Sequence, residues 1–194
     1  MKNLIDKIKQ CTLCQSSLPL EPKPILQASQ QSKILIVGQA PGIITHNRGM
    51  PFDDKSGERL RAWLGVNKNQ FYDPLLFAII PMSFCYPGRG KSGDLPPTPL
   101  CADTWRRQLL AKFENIELTV ILGQYAIAWH LQSKAPITKL AKQWQCLFKS
   151  NQIVLPHPSP RNNIWLKKNN WFENDVVPNL QNRIKAIITH SSSS

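Results

Sequence analysis

The chain of 194 residues is poor in acidic side chains: 12 Asp and Glu stand against 24 Lys and Arg, for a formal net charge of +12 at pH 7. This balance argues against an acidic surface and favours a polyanionic partner, with nucleic acid ahead of a membrane surface. Phosphate contacts would make that binding depend strongly on salt concentration. The simpler alternative is a basic protein that has no such partner.

Long apolar runs are also missing. No run approaches the roughly 18 residues that a membrane-spanning helix requires, and residues 1–11 (MKNLIDKIKQC) lack the apolar segment of a secretory signal. We therefore expect a cytoplasmic, monomeric protein whose five cysteines are reduced. The sequence shows no internal repeat. Its length suits one domain over residues 1–190, with a disordered tail at 191–194.

Short apolar segments alternate with amphipathic ones along the chain. We predict buried strands at residues 33–37, 75–80, 118–122 and 153–155. We predict helices over residues 1–10, from 56 or 57 onward, and over 103–113, 123–131 and 173–188, with Asp103 as the cap of the third. The alternation predicts an α/β fold with a parallel, doubly wound sheet.

Polar, glycine-rich and proline-rich loops follow the first, second and fourth predicted strands. They read GQAPG…PFDD (38–54), PMSFCYPGRG (81–90) and PHPSPRNN (156–163). Because parallel sheets bind ligands beyond the carboxyl ends of their strands, we expect these loops to form one crevice. The Gly and Pro content of the segment 86–99 predicts a loop without regular structure.

Several side chains in these loops suit a flat, anionic ligand. Phe52 can serve as a platform for a base, with stacking worth about 1–3 kcal/mol, although a core position is an equal alternative. His157 and Ser159 stand between prolines, and such a rigid backbone suits a group that must be placed accurately. A purely structural histidine is the alternative. Arg161 and Asn162 can hydrogen-bond phosphates or base edges.

The cysteine spacing indicates a ligand set. Cys11 and Cys14 form a CxxC motif, and Cys85 and Cys101 flank the long loop. Four thiolates suit either zinc or an iron–sulfur cluster. Binding of such a group by Cys85 and Cys101 would fix both ends of the long loop. Cys146 stands apart and is predicted to lie in the core.

Together these motifs resemble the uracil-DNA glycosylase superfamily, and most closely its iron–sulfur branch. The resemblance spans residues 10–165 and rests on GQAPG (38–42), GMPF (49–52), HPSP (157–160) and the four cysteines. It implies a three-layer α/β/α sandwich around a four-stranded parallel sheet. It also implies a structural [4Fe–4S] cluster, with zinc as the alternative, held by Cys11, Cys14, Cys85 and Cys101.

The resemblance further implies that a damaged nucleotide is flipped into a pocket, where its N-glycosidic bond is cleaved. Phe52 would stack on the base and His157 would donate a hydrogen bond to a base oxygen. The backbone near Gln39, Ala40 and Pro41 would contact the base edge.

The proline-rich loop has an implied role in contacting the DNA itself. Through Ser159, Arg161 and Asn162 it would press on the DNA backbone or fill the space that the flipped base leaves in the stack.

The chain departs from the family pattern at positions that bear on base recognition. Gln39 stands where the family motif GEAPG has an acidic residue. The asparagine that recognises uracil in the family would lie near Pro81, and this chain lacks it there. Asp53, Asp54 or His46 could then polarise a water molecule or face the sugar cation, although aspartates at such positions more often face solvent or cap a helix.

The predicted function is that of a DNA glycosylase of base excision repair, acting on uracil or a related deaminated base. The alternatives are a glycosylase for another damaged base, such as hypoxanthine or xanthine, and a nucleic-acid-binding protein with weak catalysis. A zinc-stabilised nucleotide-binding protein is a further alternative from another class.

Overall fold

Parallel strands form the centre of the molecule. The computed structural model describes residues 1–91 and 93–191, without the side chain of Ser191. Its strands are β1 Ile34–Val37, β2 Phe77–Ile79, β3 Arg89–Gly90, β4 Gly93–Asp94, β5 Leu118–Leu122 and β6 Gln152–Leu155. Four of them form one sheet in the order β2-β1-β5-β6, and every neighbouring pair in it is parallel. The strands β3 and β4 form a separate antiparallel hairpin.

Helices cover both faces of this sheet. Helices α1 to α11 comprise Lys2–Lys9, Ile43–Arg48, Lys55–Leu64, Lys68–Phe71, Pro99–Cys101, Arg107–Leu110, Gln124–His130, Ile137–Lys142, Trp144–Lys149, Asn163–Lys168 and Val177–Ser191. Short 3₁₀ turns lie at Gln15–Ser17 and Pro160–Asn162, and π-helical turns lie at Ala102–Arg106 and Phe172–Val176. None of the helices in the described ranges is both long and apolar enough to cross a bilayer.

Alternate strand residues enter two separate cores. In β1, Ile34 and Ile36 pack in the core that contains α3 and α11, whereas Leu35 and Val37 pack in the core that contains α1 and α7. All four side chains are buried, so the strand shows no polar alternation in the sequence. The three-layer α/β/α sandwich with a four-stranded parallel sheet is therefore confirmed.

Some local predictions were wrong. The helix before β5 begins at Pro99 rather than after Asp103, because Pro99 occupies the first helical position and Asp103 lies inside the π-helical turn. The segment 86–99 contains the β3–β4 hairpin, with Gly88 and Gly93 at positive φ supplying the turns that other residues resist. Of the predicted tail, Ser191 ends α11, and residues 192–194 lie outside the described residues.

A buried guanidinium ties the end of β2 to the helical layer. Arg106 is fully buried, and its Nη1 atom donates to the carbonyl oxygens of Ile80 (3.2 Å) and Pro81 (2.9 Å). Its Nη2 atom lies 2.6 Å from His130 Nε2, and the guanidinium stacks 5.0 Å from the Trp129 ring centroid. Since arginine only donates, His130 Nε2 accepts and its proton resides on Nδ1.

This contact makes stability depend on pH. Burial, and then the charge of Arg106, lower the pKa of His130 to about 3. Between that value and about pH 6.5, His130 is protonated in the unfolded chain but neutral in the folded one. The free energy of unfolding therefore falls as the pH falls, by up to about 1.4 kcal/mol per pH unit. His130→Gln retains an acceptor for Arg106 but cannot titrate.

We expect urea unfolding at pH 7 and pH 5 to show a smaller loss of stability in His130→Gln than in the unaltered protein. Carboxylate titrations contribute equally to both and cancel in the comparison. Identical pH dependence of the two proteins would contradict the assigned contact.

Candidate active site

A cavity of about 540 Å³ opens at the carboxyl edge of the sheet. Its walls come from the loops that follow β1, β2 and β6, from the turn before α3, and from the β3–β4 hairpin. Its lining includes Gly38, Gln39, Ala40, Pro41, Phe52, Asp54, Pro81, Gly93, Asp94, His157, Ser159, Arg161 and Asn162. The predicted convergence of the three loops is thus observed.

Backbone hydrogen bonds join the β1 loop to the chain that follows β2. The N–H of Met82 donates to the Gly38 carbonyl (2.8 Å), and the N–H of Ser83 donates to the Gln39 carbonyl (3.1 Å). The Gln39 side chain donates from Nε2 to the Leu95 carbonyl at 3.3 Å. The amide of Gln39 therefore holds the hairpin beside the cavity.

Phe52 stands on a strained turn. Its φ is 55°, a left-handed value that costs a non-glycine residue free energy and is often found at functional sites. The Phe52 carbonyl oxygen lies only 1.7 Å from where a Cβ atom on Gly57 would be, so only glycine permits this packing. Arg61 donates to the same carbonyl (3.3 Å). The Phe52 ring packs edge-on against Phe71 and lies 6.5 Å from the His157 ring.

Asp54 both caps α3 and lines the cavity. Its Oδ1 atom accepts a hydrogen bond from the N–H of Gly57 at 2.8 Å, the geometry of a helix N-cap. The neighbouring Asp53 lies outside the cavity lining and pairs with Arg48 and Lys68, each at 3.3 Å. The two adjacent carboxylates therefore have different environments, and only that of Asp54 adjoins the site.

The hydrogen bonds around His157 define its tautomer. The N–H of Ser159 donates to His157 Nδ1 at 3.2 Å, so in the neutral ring the proton lies on Nε2. Burial lowers the pKa of His157, and the nearby carboxylates of Asp54 and Asp94 oppose that shift only in part. A neutral imidazole that lines the cavity with its proton on Nε2 can donate a hydrogen bond from that atom to a ligand.

The proline-rich loop is held from two sides. Asn162 donates from Nδ2 to the His157 carbonyl (2.7 Å), and Arg59 of α3 donates to the Ser159 carbonyl (3.2 Å). The Ser159 hydroxyl oxygen accepts from the N–H of Arg161 (3.3 Å) and starts a 3₁₀ turn. Ser159, Arg161 and Asn162 are thereby placed at the rim of the cavity.

His46 is the predicted site residue that the structure places elsewhere. It lies on the short helix α2, outside the cavity lining, and its ring is 6.2 Å from that of Tyr86. Burial and the charge of Lys23 lower the pKa of His46. The sequence did not predict α2, and the residues of this helix that line the cavity are Ile43, Ile44 and Thr45.

Sequence reasoning missed the contribution of the hairpin. Gly93 and Asp94 line the cavity, although their segment was predicted to be an irregular loop. A charged residue, Asp94, close to Gly88, Gly90 and Gly93 was the available signal of a functional loop. Nothing in the spacing, however, relates this segment to the β1 or β6 loops.

A second cavity, of about 310 Å³, contains the predicted ligand set. Its lining includes Cys11, Cys14, Cys85 and Cys101, together with Ser83 and Trp105. Cys146 is exposed on α9 rather than in the core, which corrects the prediction for that residue. Within the described ranges, no group of three or more His, Cys, Asp or Glu side chains is arranged to hold a metal ion.

Hydrogen-bond donors surround the sulfur atoms of this second cavity. Trp105 Nε1 lies 3.3 Å from Cys11 Sγ, and the N–H of Phe84 lies 3.4 Å from Cys101 Sγ. Burial raises the pKa of Cys85 to about 11 and that of Cys101 to about 12. In the metal-free protein these two groups are therefore neutral thiols, and a bound metal must displace their protons.

The fold and the first cavity define a class: an α/β/α sandwich whose sheet carries, at its carboxyl edge, a cavity lined by Phe52 and His157. A family model of the uracil DNA glycosylase superfamily matches residues 26–181, which contain every lining residue of this cavity except Ile25. The chain belongs to the uracil DNA glycosylase superfamily. Membership implies DNA glycosylase activity, the hydrolysis of N-glycosidic bonds in DNA.

The close packing of Gly57 against Phe52 yields a prediction. On helix propensity alone, Gly57→Ala would stabilise α3 by up to about 1 kcal/mol. The added methyl group collides with the Phe52 carbonyl, however, and overpacking of this kind costs about 1–3 kcal/mol. We expect Gly57→Ala to lower the free energy of unfolding measured in urea. We also expect it to weaken the binding of DNA at the cavity.

Glu58→Ala, at the next and exposed position of α3, provides the control and should leave both properties nearly unchanged. A stabilised Gly57→Ala variant would show that the Phe52 turn is not constrained in this way.

Proposed function

We propose that the protein is a DNA glycosylase of base excision repair that hydrolyses the N-glycosidic bond of uracil or a related deaminated base flipped out of DNA. The observation that carries this proposal is the pairing of Phe52 with a neutral His157 across one cavity. A base stacked on Phe52 would present its edge to His157 and to the loop at Gln39, Ala40 and Pro41.

Cleavage leaves negative charge on the departing base, and a donor fixed in advance stabilises that charge. The Nε2–H of His157 suits this role because Nδ1 is occupied by the Ser159 N–H. A neutral donor binds a base oxygen without first requiring a proton from solvent. His157 therefore holds its hydrogen bond through the reaction and need not transfer the proton.

Cleavage also leaves positive charge on the sugar, and a nearby carboxylate stabilises it. Asp54 lines the cavity, and its position is fixed because Oδ1 accepts from the N–H of Gly57. Its other oxygen remains available to the sugar. The capping and electrostatic roles of Asp54 are thus compatible in one side chain.

The binding of DNA is supported by charge. The formal net charge of +12 favours a phosphate backbone as partner. Arg161 is exposed at the rim of the cavity, beside Ser159 and Asn162. This loop is suited to contact the backbone on either side of the extruded nucleotide, and we expect binding to weaken steeply as salt is added.

We further propose that Cys11, Cys14, Cys85 and Cys101 hold a [4Fe–4S] cluster of structural role. Besides the four thiols and the N–H donors, the second cavity contains the Ser83 hydroxyl, which is buried and has no hydrogen-bond partner among the described residues. Arg106 is a buried cation that forms no ion pair within the described part of the chain. An anionic cluster would offer an acceptor to the Ser83 hydroxyl, and its charge would be balanced in part by Arg106, on whose pKa the charge of Cys101 acts.

The histidine is tested by His157→Asn. The introduced amide would still offer an oxygen to the Ser159 N–H but would lack the Nε2–H donor, so the loop should persist while the single-turnover rate falls by about 10²–10³-fold. The measurement uses labelled oligonucleotides that contain uracil, hypoxanthine or xanthine, single- and double-stranded, with alkali to reveal abasic sites.

His46→Asn is the matched control and should retain the rate, since His46 lies outside the cavity lining. DNA binding without release of any tested base by the unaltered protein would favour a binding protein or an untested lesion over the proposed activity.

The cluster is tested by Cys101→Ser. We expect the protein purified without oxygen to absorb near about 400 nm and to contain iron, and both signals to be lost in this variant. Cys146→Ser should retain them, because Cys146 is exposed and lies outside the second cavity. Stoichiometric zinc without iron in the anaerobic protein would contradict the cluster.

A further inference from the structure

The β3–β4 hairpin carries a carboxylate into the active-site cavity. Asp94 lines the cavity, and its Oδ2 atom lies 3.3 Å from the position that a Cβ atom on Gly42 would take. Gly42 belongs to the loop that leaves β1. The hairpin therefore reaches across to the edge of the sheet, and Asp94 borders the same space as Phe52 and His157.

The walls of the cavity themselves hold the hairpin. Gln39 Nε2 donates to the Leu95 carbonyl at 3.3 Å, and the N–H of Leu95 donates to the Gly88 carbonyl at 2.8 Å. On the opposite side, Arg161 Nη1 lies 2.6 Å from the position of a Cβ atom on Gly93, where φ is +148°. The β1 loop therefore holds the hairpin segment through Gln39, and the β6 loop lies against it at Gly93.

The two carboxylates of the cavity have different chemical surroundings. Asp54 Oδ1 is engaged with the N–H of Gly57, which stabilises the negative charge and leaves one oxygen free. The Asp94 side chain is exposed and forms no ion pair within residues 1–91 and 93–191. Both carboxylates line the same cavity as His157, and their charges oppose the lowering of its pKa by burial.

We propose that Asp94 is the catalytic carboxylate that accepts the proton of the attacking water, while Asp54 stabilises the sugar cation. This assignment rests on the proposed glycosylase function. The bond between C1′ and the base nitrogen breaks, and its electron pair leaves with the base. A water oxygen bonds to C1′ and its proton passes to Asp94. That proton then passes to solvent, and the base anion takes one up from solvent.

Asp94→Ala tests this role. A positioned proton acceptor contributes about 10²–10⁴-fold, so the single-turnover rate should fall by that factor. Affinity for DNA should stay equal or rise, because the variant loses a negative charge near the phosphates. Sodium formate should restore part of the rate in Asp94→Ala, and sodium chloride at the same ionic strength should not.

Asp6→Ala, which removes an exposed carboxylate on α1, is the charge-matched control and should behave as the unaltered protein. Asp54→Ser keeps a helix cap but removes the carboxylate, and it should retain more activity than Asp94→Ala. Unchanged activity in Asp94→Ala, a loss of DNA affinity together with activity, or a larger loss in Asp54→Ser would each overturn the assignment.

Failure of the proposed function has a different signature. In that case the unaltered protein releases no base from any substrate, and this result refutes both the glycosylase function and the role of Asp94. An active unaltered protein together with an equally active Asp94→Ala variant refutes the role of Asp94 alone.

Discussion

The close approach of the Phe52 carbonyl to Gly57 is the constraint on which the site depends. Because position 57 has no side chain, the chain can turn back on the first turn of α3 with Phe52 at positive φ. The same turn places Asp54 as the cap of α3 and brings Phe52 within 6.5 Å of His157. The aromatic platform, the helix cap and a pocket carboxylate are consequences of one local packing arrangement, which the Arg61 side chain reinforces.

The two cavities share one piece of chain. The segment between Cys85 and Cys101 begins and ends in the lining of the second cavity, which contains the four cysteines. Between those ends it carries the β3–β4 hairpin. The hairpin also forms part of the wall of the first cavity, which Phe52 and His157 line, and the Gln39 side chain contacts Leu95 there. A metal group bound by the cysteines would therefore stabilise both ends of the segment that carries the hairpin, although it would lie outside the cavity that Phe52 and His157 line.

Much of this arrangement could be predicted from the sequence, because buried parallel strands and their loops follow strong local rules. The apolar segments around Ile34, Val120 and Val154 became strands, and the loops after β1 and β6 brought Gln39 and His157 together. The hairpin could not be predicted, since two-residue strands have no periodicity and are held by contacts distant in sequence. The location of His46 could not be predicted either, because helix α2 has only six residues and gives no periodic pattern in the sequence.

The proposed function requires an extruded base to occupy the cavity between Phe52 and His157. The most direct measurement is a crystal structure of the protein with DNA whose target nucleotide carries a 2′-fluoro group, which slows cleavage by destabilising the sugar cation. We expect a base stacked on the Phe52 ring with one of its oxygens at hydrogen-bond distance from His157 Nε2. A target base that remains in the duplex, or that binds outside this cavity, would contradict it.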